Sequence, residues 1–267
     1  MPRLALGIFA ALIAHAAHGA LVNCAALSAN PGDYKVVLDD FAFASDPARN
    51  NADLAALKNR LQFSFNGQLD ALRISAAKLD KNLQVPMRLI VCTGRQPSLT
   101  GEEFTDALAE RLSDQRVVVE VWGTLDLAGS AGAAPAPRAM IGYAIPPVQQ
   151  YVPANEVRPI QLLAYPKSGG ARAIDELERL PELSAFALVG LGTKASRANR
   201  YDLAVWAFSR AETGIADSKL RGTNADLDSL LVYVKHAACL TRAGARTDPG
   251  YVGALRLVPA QNCTDKP

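Results

Sequence analysis

The sequence predicts an α/β domain with a mixed, partly parallel sheet, followed by an all-α domain of helical hairpins. Up to residue 166, runs rich in β-branched residues alternate with segments of helical apolar spacing, which is the pattern of strand–helix–strand units. Beyond a Pro-Lys-Ser-Gly-Gly stretch the β-branched runs disappear and helical spacing dominates. We therefore assign residues 20–166 to the α/β domain and residues 171–267 to the helical domain.

Residues 1–19 have the composition of a secretory signal peptide. Arg3 supplies a basic start, Leu4–Ala14 is an apolar run, and the small residues that follow suit cleavage before Ala20. The run is too short to cross a hydrocarbon core of roughly 30 Å as a permanent anchor. We expect a mature chain without a transmembrane segment that is periplasmic or secreted. Lipid attachment at Cys24 is the alternative, because the residues before it are similar to a lipid-attachment box.

The first strand is predicted over Tyr34–Phe43 and the second over Leu83–Cys92, because both are apolar runs with β-branched residues. Between them, apolar residues recur every three or four positions and predict a long helix, which Asn50 or Asn51 can cap. The apolar stripe of this helix consists of Leu54, Leu57, Leu61, Phe65, Leu69 and Leu72.

A second helix is predicted to begin at Thr100, since Thr100–Glu103 has the pattern of a capping box. The valine-rich run Arg116–Leu125 predicts a third strand that is covered on both faces. Two further strands are predicted over Ala139–Ile145 and Val157–Ala164. The two strand–helix–strand steps imply parallel pairing through right-handed crossovers, and the last two strands can add antiparallel at an edge.

Apolar spacing predicts five helices in the second domain. They span Ala173–Leu180, Leu183–Ala198, Tyr201–Thr213, Asp226–Leu240 and Tyr251–Leu257.

Within this domain, Leu188–Ala211 resembles a tetratricopeptide repeat (TPR). Small residues at Gly192 and Ala204 would let two antiparallel helices approach closely. Leu188 and Ala195 stand where that family usually has aromatic residues, and one repeat is legible. The residues at the spacing of the motif are Leu188, Leu191, Gly192, Ala195, Ala204 and Phe208.

The resemblance to a TPR implies that the helical tail binds proteins through a concave face. The candidate contact residues on that face are Lys194, Arg197, Arg200 and Tyr201.

The N-terminal half resembles the amino-terminal α/β domain of TolB and the related fold of FlgO-like envelope proteins. The resemblance lies in the order of the elements and in Val117–Leu127, a strand that runs into Gly-x-Leu. It implies a role in the cell envelope through protein contacts, without catalysis.

Composition excludes some functions and predicts disulfides. The 28 Lys and Arg nearly balance the 26 Asp and Glu, whereas nucleic-acid binding needs clustered positive charge. An even count of four cysteines predicts disulfides in an oxidising compartment. The simplest pairing is Cys24 with Cys92 and Cys239 with Cys263, and the other two pairings remain open.

Motifs for catalysis or cofactor binding are scarce. His236 is the only histidine after the signal, so a multi-histidine metal site is excluded. The chain has no GxxxxGK[ST], GxGxxG, GxSxG, HExxH or CxxC motif, and no cofactor or metal site is predicted.

One polar site is predicted where the parallel strands end, since ligands of α/β sheets bind beyond the carboxyl ends of the strands. Asp40 follows the first strand, and Arg95 and the helix start at Thr100 follow the second. Arg95 with the free N–H groups at Thr100 would hold a carboxylate or phosphate. A surface ion pair between Asp40 and Arg95 is the alternative.

Taken together, the residues favour an exported, non-catalytic protein-binding or scaffold protein of the bacterial cell envelope, whose partner is an unidentified envelope protein. The alternative is a small-ligand or anion-binding protein, or an enzyme that relies on carboxylates, using the crevice near Asp40 and Arg95.

Overall fold

The computed structural model describes residues 24, 32–39, 41–79, 83–92, 108–114, 116–128, 136–146, 160–164, 181–216, 230–231, 234–235, 237–239 and 241.

Within the described residues, six strands form one mixed sheet. They are β1 Tyr34–Leu38, β2 Ala42–Phe43, β3 Met87–Val91, β4 Val117–Ala128, β5 Ala136–Ile145 and β6 Ile160–Ala164. The strand order is β3-β1-β4-β5-β6, and β2 pairs with β4. β1 is parallel to β3 and β4, whereas β5 and β6 add antiparallel. The predicted mixed, partly parallel sheet, with its antiparallel additions, is confirmed.

The predicted strand Tyr34–Phe43 is broken into two. Asp39 follows β1, and β2 then pairs with Thr124 and Leu125 further along β4. Aspartate is disfavoured inside strands, and here Asp39 ends β1 and its carboxylate accepts a hydrogen bond from half-buried Arg111. The break therefore places a charged side chain at the carboxyl end of β1.

Four helices are complete within the described residues: α1 Asp46–Arg49, α2 Ala52–Leu79, α3 Pro181–Arg197 and α4 Tyr201–Ala216. Residues 108–113 are helical, as are the described residues from 230 to 241. The start of α2 is as predicted, because the Leu54 N–H donates to Asn51 Oδ1 at 3.0 Å. The predicted apolar stripe faces the core: Leu54, Leu61, Phe65 and Leu69 are buried, and Leu72 is half-buried.

Helices cover both faces of the sheet. On one face, α2, α3, α4 and the 230–241 residues share a large core with Tyr34, Val36 and Leu38 of β1. On the other face, Leu108 and Leu112 pack in a smaller core with Val37. The remaining members of that smaller core are Ile90, Cys92, Val117, Trp122 and Ala144, with Cys24 packed against it.

The pair α3 and α4 is the helical hairpin predicted around residue 200. Gly192 lies against the ring of Phe208 and Ala185 against Gly214, so the two helices run antiparallel. Asn199, with φ 56°, ends α3 in the left-handed conformation that asparagine tolerates. The close approach predicted at Gly192 is confirmed.

The hairpin packs directly on the sheet. A Cβ added at Gly190 would lie 1.7 Å from the carbonyl oxygen of Val118, so the backbones of α3 and β4 are in contact. The ring centroids of Phe186 in α3 and Tyr143 in β5 are 4.8 Å apart. The predicted boundary at 166–171 lies outside the described residues, and the helices beyond it share one core with the sheet.

A disulfide joins Cys24 to Cys92, 68 residues apart, as predicted. Because its sulfur is bonded to Cys92, Cys24 cannot carry a lipid in this state. Cys239 is also disulfide-bonded, and its predicted partner, Cys263, lies outside the described residues. None of the helices among the described residues has the length and apolarity needed to cross a bilayer.

Candidate functional site

A buried polar cluster lies at the carboxyl end of β1. Asp39 follows β1, and Glu120 of β4 lies beside Val37 in the parallel register. Arg111, from the helical residues 108–113, donates from Nη1 to Asp39 Oδ1 at 2.9 Å and to Glu120 Oε1 at 2.6 Å. The side chains of Asp39 and Glu120 are 1% and 0% exposed, and that of Arg111 is 12% exposed.

Two buried carboxyls share one guanidinium in this cluster. Burial raises the pKa of Glu120 well above its usual value. The charge of Asp39 and a side-chain hydrogen bond with it raise this pKa further, and Arg111 opposes them. Burial therefore favours the neutral form of Glu120 relative to an exposed carboxyl, and Arg111 with Asp39 forms an ion pair.

Lys194 of α3 contacts residues 108–114, the segment that contains Arg111. Its Nζ donates to the carbonyl oxygens of Leu112 and Asp114 at 2.7 and 2.6 Å. Burial lowers the pKa of Lys194 to about 8; nearby Arg197 contributes, and Asp114 acts in the opposite direction. Residues 108–114 therefore contact both the sheet, through Arg111 and the smaller core, and α3, through Lys194.

These contacts describe a cluster with a structural role. Both carboxyls are buried and Arg111 is already bonded to both, which leaves little access for a substrate. The described residues contain no group of three or more His, Cys, Asp or Glu side chains arranged to hold a metal ion.

A cleft of about 630 Å³ lies between α2 and β3. Its charged residues are paired, Arg73 with Asp70 of the same helix and Arg88 with Asp33 before β1. Arg73 also donates to the carbonyl of Met87 at the start of β3. The cleft thus lies at the amino ends of β1 and β3, opposite the end where α/β sheets bind ligands.

The outer face of α2 carries the two large apolar side chains that are exposed among the described residues. Phe63 is 83% exposed and Ile74 is 57% exposed. They are 11 positions apart, which is about three helical turns, so both project from the same side of α2. Gly67, also exposed, lies between them on this side.

The predicted site residues fall in three places. Asp40, Arg95 and Thr100 lie outside the described residues. Arg197 is exposed, Arg200 and Tyr201 are half-buried, and the Tyr201 hydroxyl donates to Asn199 Oδ1 at 2.9 Å. Lys194 is separate from these residues, because it is 4% exposed and its ammonium is bonded to backbone carbonyls.

Sequence reasoning missed the cluster of Asp39, Arg111 and Glu120. A signal was present: Glu120 stands alone in a valine run predicted to be buried on both faces, and a buried charge needs a partner. The partner, Arg111, sits in a helix on another layer, where sequence spacing gives no indication. Phe63 was detectable too, since it lies opposite the apolar stripe of α2.

No protein-family model, curated protein or solved structure matches the chain.

Proposed function

We propose that this is an exported, non-catalytic protein-binding protein of the bacterial cell envelope, and that its partner binds the outer face of α2. The observation that carries the proposal is the pair of exposed side chains, Phe63 and Ile74, on one side of a helix whose opposite side is buried. The two side chains lie about 16 Å apart along the helix axis, a span that one partner surface can cover, and exposed large apolar side chains on one face are a feature of protein contact sites.

The helical hairpin supports the proposal less well than its TPR resemblance implies. From Leu183 to Ala195 every residue of α3 is buried except the half-buried Ser184. A helix that is buried on all sides is a core element, which leaves it little surface for a partner. The rival surface is the end of the hairpin, where Arg197, Arg200 and Tyr201 lie.

Export is supported by the disulfide between Cys24 and Cys92, because disulfides persist in oxidising compartments. The signal-peptide pattern of residues 1–19 points to the same compartment. The resemblance of the N-terminal half to TolB-type domains supports an envelope role through protein contacts.

The experiment is site-specific photo-crosslinking in cells, with the photoreactive residue placed at Phe63 and, as a matched control, at exposed Ala216 of α4. We expect one discrete protein adduct from position 63 and none from position 216. An adduct obtained only from position 197 would move the partner to the hairpin end. No adduct from 63 or 197 would contradict a protein-binding function.

A second candidate is binding of a small anion at the carboxyl ends of the parallel strands. It rests on the sequence, in which Asp40 follows β1 and Arg95 and Thr100 follow β3; among the described residues, Arg111 brings a guanidinium to the carboxyl end of β1. Calorimetric titration with inorganic phosphate tests it: heat of binding that is lost in Arg95→Gln supports this site, and no heat contradicts it.

A further inference from the structure

On the outer face of α2, small exposed residues stand beside the two large ones. Ala56 and Gly67 are exposed on the same side of the helix as Phe63 and Ile74. A Cβ added at Gly67 would meet nothing within 4 Å. Glycine destabilises an exposed helix relative to alanine, and the fold of one copy makes no use of the missing side chain. The space above Gly67 is therefore free for a group from outside.

The chain already packs a phenylalanine on a glycine where two antiparallel helices meet. A Cβ added at Gly192 of α3 would lie 2.7 to 2.9 Å from ring carbons of Phe208 in α4. The ring thus occupies the room that the glycine leaves. The outer face of α2 carries both halves of such a contact, since Phe63 and Gly67 lie about one helical turn apart and both are exposed.

Two copies of α2 placed antiparallel, outer face to outer face, match large side chains with small ones in a single alignment. When Phe63 of one copy lies opposite Gly67 of the other, Ile74 lies opposite Ala56, because both pairs have the same midpoint in the sequence. Two-fold symmetry then repeats each contact. A large residue opposite a small one is what close packing of two helices requires.

The same alignment brings opposite charges together. Exposed Asp53, in the first turn of α2, lies beside exposed Lys78, in the last turn of the other copy. Asp70, which pairs with Arg73 of its own helix, lies opposite exposed Arg60. The antiparallel orientation also sets the positive end of each helix dipole beside the negative end of the other. Charge complementarity therefore favours a second copy in this orientation.

The length of α2 sets the size of this contact. A helix of 28 residues is about 42 Å long and about 10 Å wide, so the pairing would cover on the order of 400 Å² on each copy. Contacts of this size belong to the weak, reversible class. Assembly should therefore depend on protein concentration in the micromolar range.

We propose that the partner on the outer face of α2 is a second copy of this chain, and that the two α2 helices pack antiparallel in a two-fold dimer. Phe63 and Ile74 of each copy pack on Gly67 and Ala56 of the other. The proposal rests on the protein-binding function proposed above, because it uses the same face as the contact surface.

Sedimentation of the purified mature chain between about 1 and about 100 µM tests the dimer. The wild type should shift from one to two copies over this range. Gly67→Leu fills the space assigned to Phe63 of the other copy and should raise the dissociation constant at least about tenfold. Its side chain enters open space in the single copy, so the fold is kept, as circular dichroism will verify. Ala216→Leu, on exposed α4 surface, is the matched control and should dimerise like wild type.

Exchange of charges tests the antiparallel alignment. Asp53→Lys alone and Lys78→Asp alone each bring like charges together at two symmetry-related places, and each should raise the dissociation constant about tenfold. The double variant, Asp53→Lys with Lys78→Asp, restores opposite charges and should dimerise near wild type. Recovery in the double variant is expected only where the two ends of α2 meet.

The remaining outcomes overturn the proposal at separate points. A wild type that stays monomeric at about 100 µM overturns the dimer, and an adduct from position 63 with a different protein would then leave the protein-binding function standing. A dimer that Gly67→Leu does not weaken overturns α2 as the interface. A double charge variant as weak as the single ones overturns the alignment. A monomeric wild type without any adduct from 63 or 197 contradicts both the dimer and the protein-binding function.

Discussion

At the scale of single residues, Gly190 is the glycine with the least room for a side chain among Gly32, Gly67, Gly190, Gly192 and Gly214. A Cβ there would lie 1.7 Å from Val118 O and 2.6 Å from Val118 C, both of them backbone atoms. Gly67, in α2, is also helical but has nothing within 4 Å of such a Cβ. The two glycines therefore form a matched pair.

We expect Gly190→Ala to lower the free energy of unfolding by about 1 to 3 kcal/mol or more, because overpacking must separate α3 from β4. Gly67→Ala should raise it by about 0.5 to 1 kcal/mol, since alanine favours an exposed helix. Urea denaturation measures both. Equal stability of the two variants would mean that α3 does not touch β4 at Gly190.

The sequence indicated the small residues but not what each one faces. Gly192 was predicted to allow close helix packing, and its contact with Phe208 confirms it. Gly190 gave no such signal, because its neighbour, Val118, belongs to a strand more than seventy positions earlier. Likewise, Glu120 was visible as a charge in a buried strand, but its partner Arg111 was not.

At the scale of elements, local patterns predicted most of the described helices and strands. The stripe and cap of α2, the strands β3 to β6 and the hairpin of α3 and α4 all appear close to their predicted bounds. The predicted strand Tyr34–Phe43 was wrong in its continuity, because Asp39 bonds Arg111 and ends β1. Such a long-range ion pair overrides the apolar pattern of the strand.

Packing between α3 and α4 is tested by Ala204→Trp. Ala204 is fully buried, so the larger ring should lower the free energy of unfolding by about 1 to 3 kcal/mol. The same substitution at exposed Ala216 of α4 is the control and should change it by less than about 0.5 kcal/mol. Thermal denaturation that leaves Ala204→Trp at wild-type stability would refute this packing.

At the scale of the whole molecule, the sheet and the helices beyond residue 180 share one core. The sequence showed two regions of different composition, and that difference does not reveal whether two regions pack together. One signal existed, since α3 is apolar on nearly all sides and must be buried by something besides α4.

The proposed export of the protein has a direct chemical consequence. The mature chain should begin near Ala20 and show no free thiols under denaturing conditions. Replacement of Cys24 and Cys92 by serine should lower the free energy of unfolding by roughly 4 kcal/mol, because the bond closes a loop of 68 residues. Free thiols at both positions would contradict the disulfide, and a lipid on Cys24 would show that the chain is anchored to a membrane.

The central claim is that a protein partner binds the outer face of α2, and the affinity of the crosslinked partner for purified variants tests it most directly. Phe63→Gln combined with Ile74→Gln should raise the dissociation constant at least about tenfold, since a few anchor side chains dominate the binding energy of an interface. Arg197→Glu with Arg200→Glu, at the hairpin end, should leave it near wild type. The reverse result, with the α2 variant binding normally and the arginine reversals disruptive, would contradict the account.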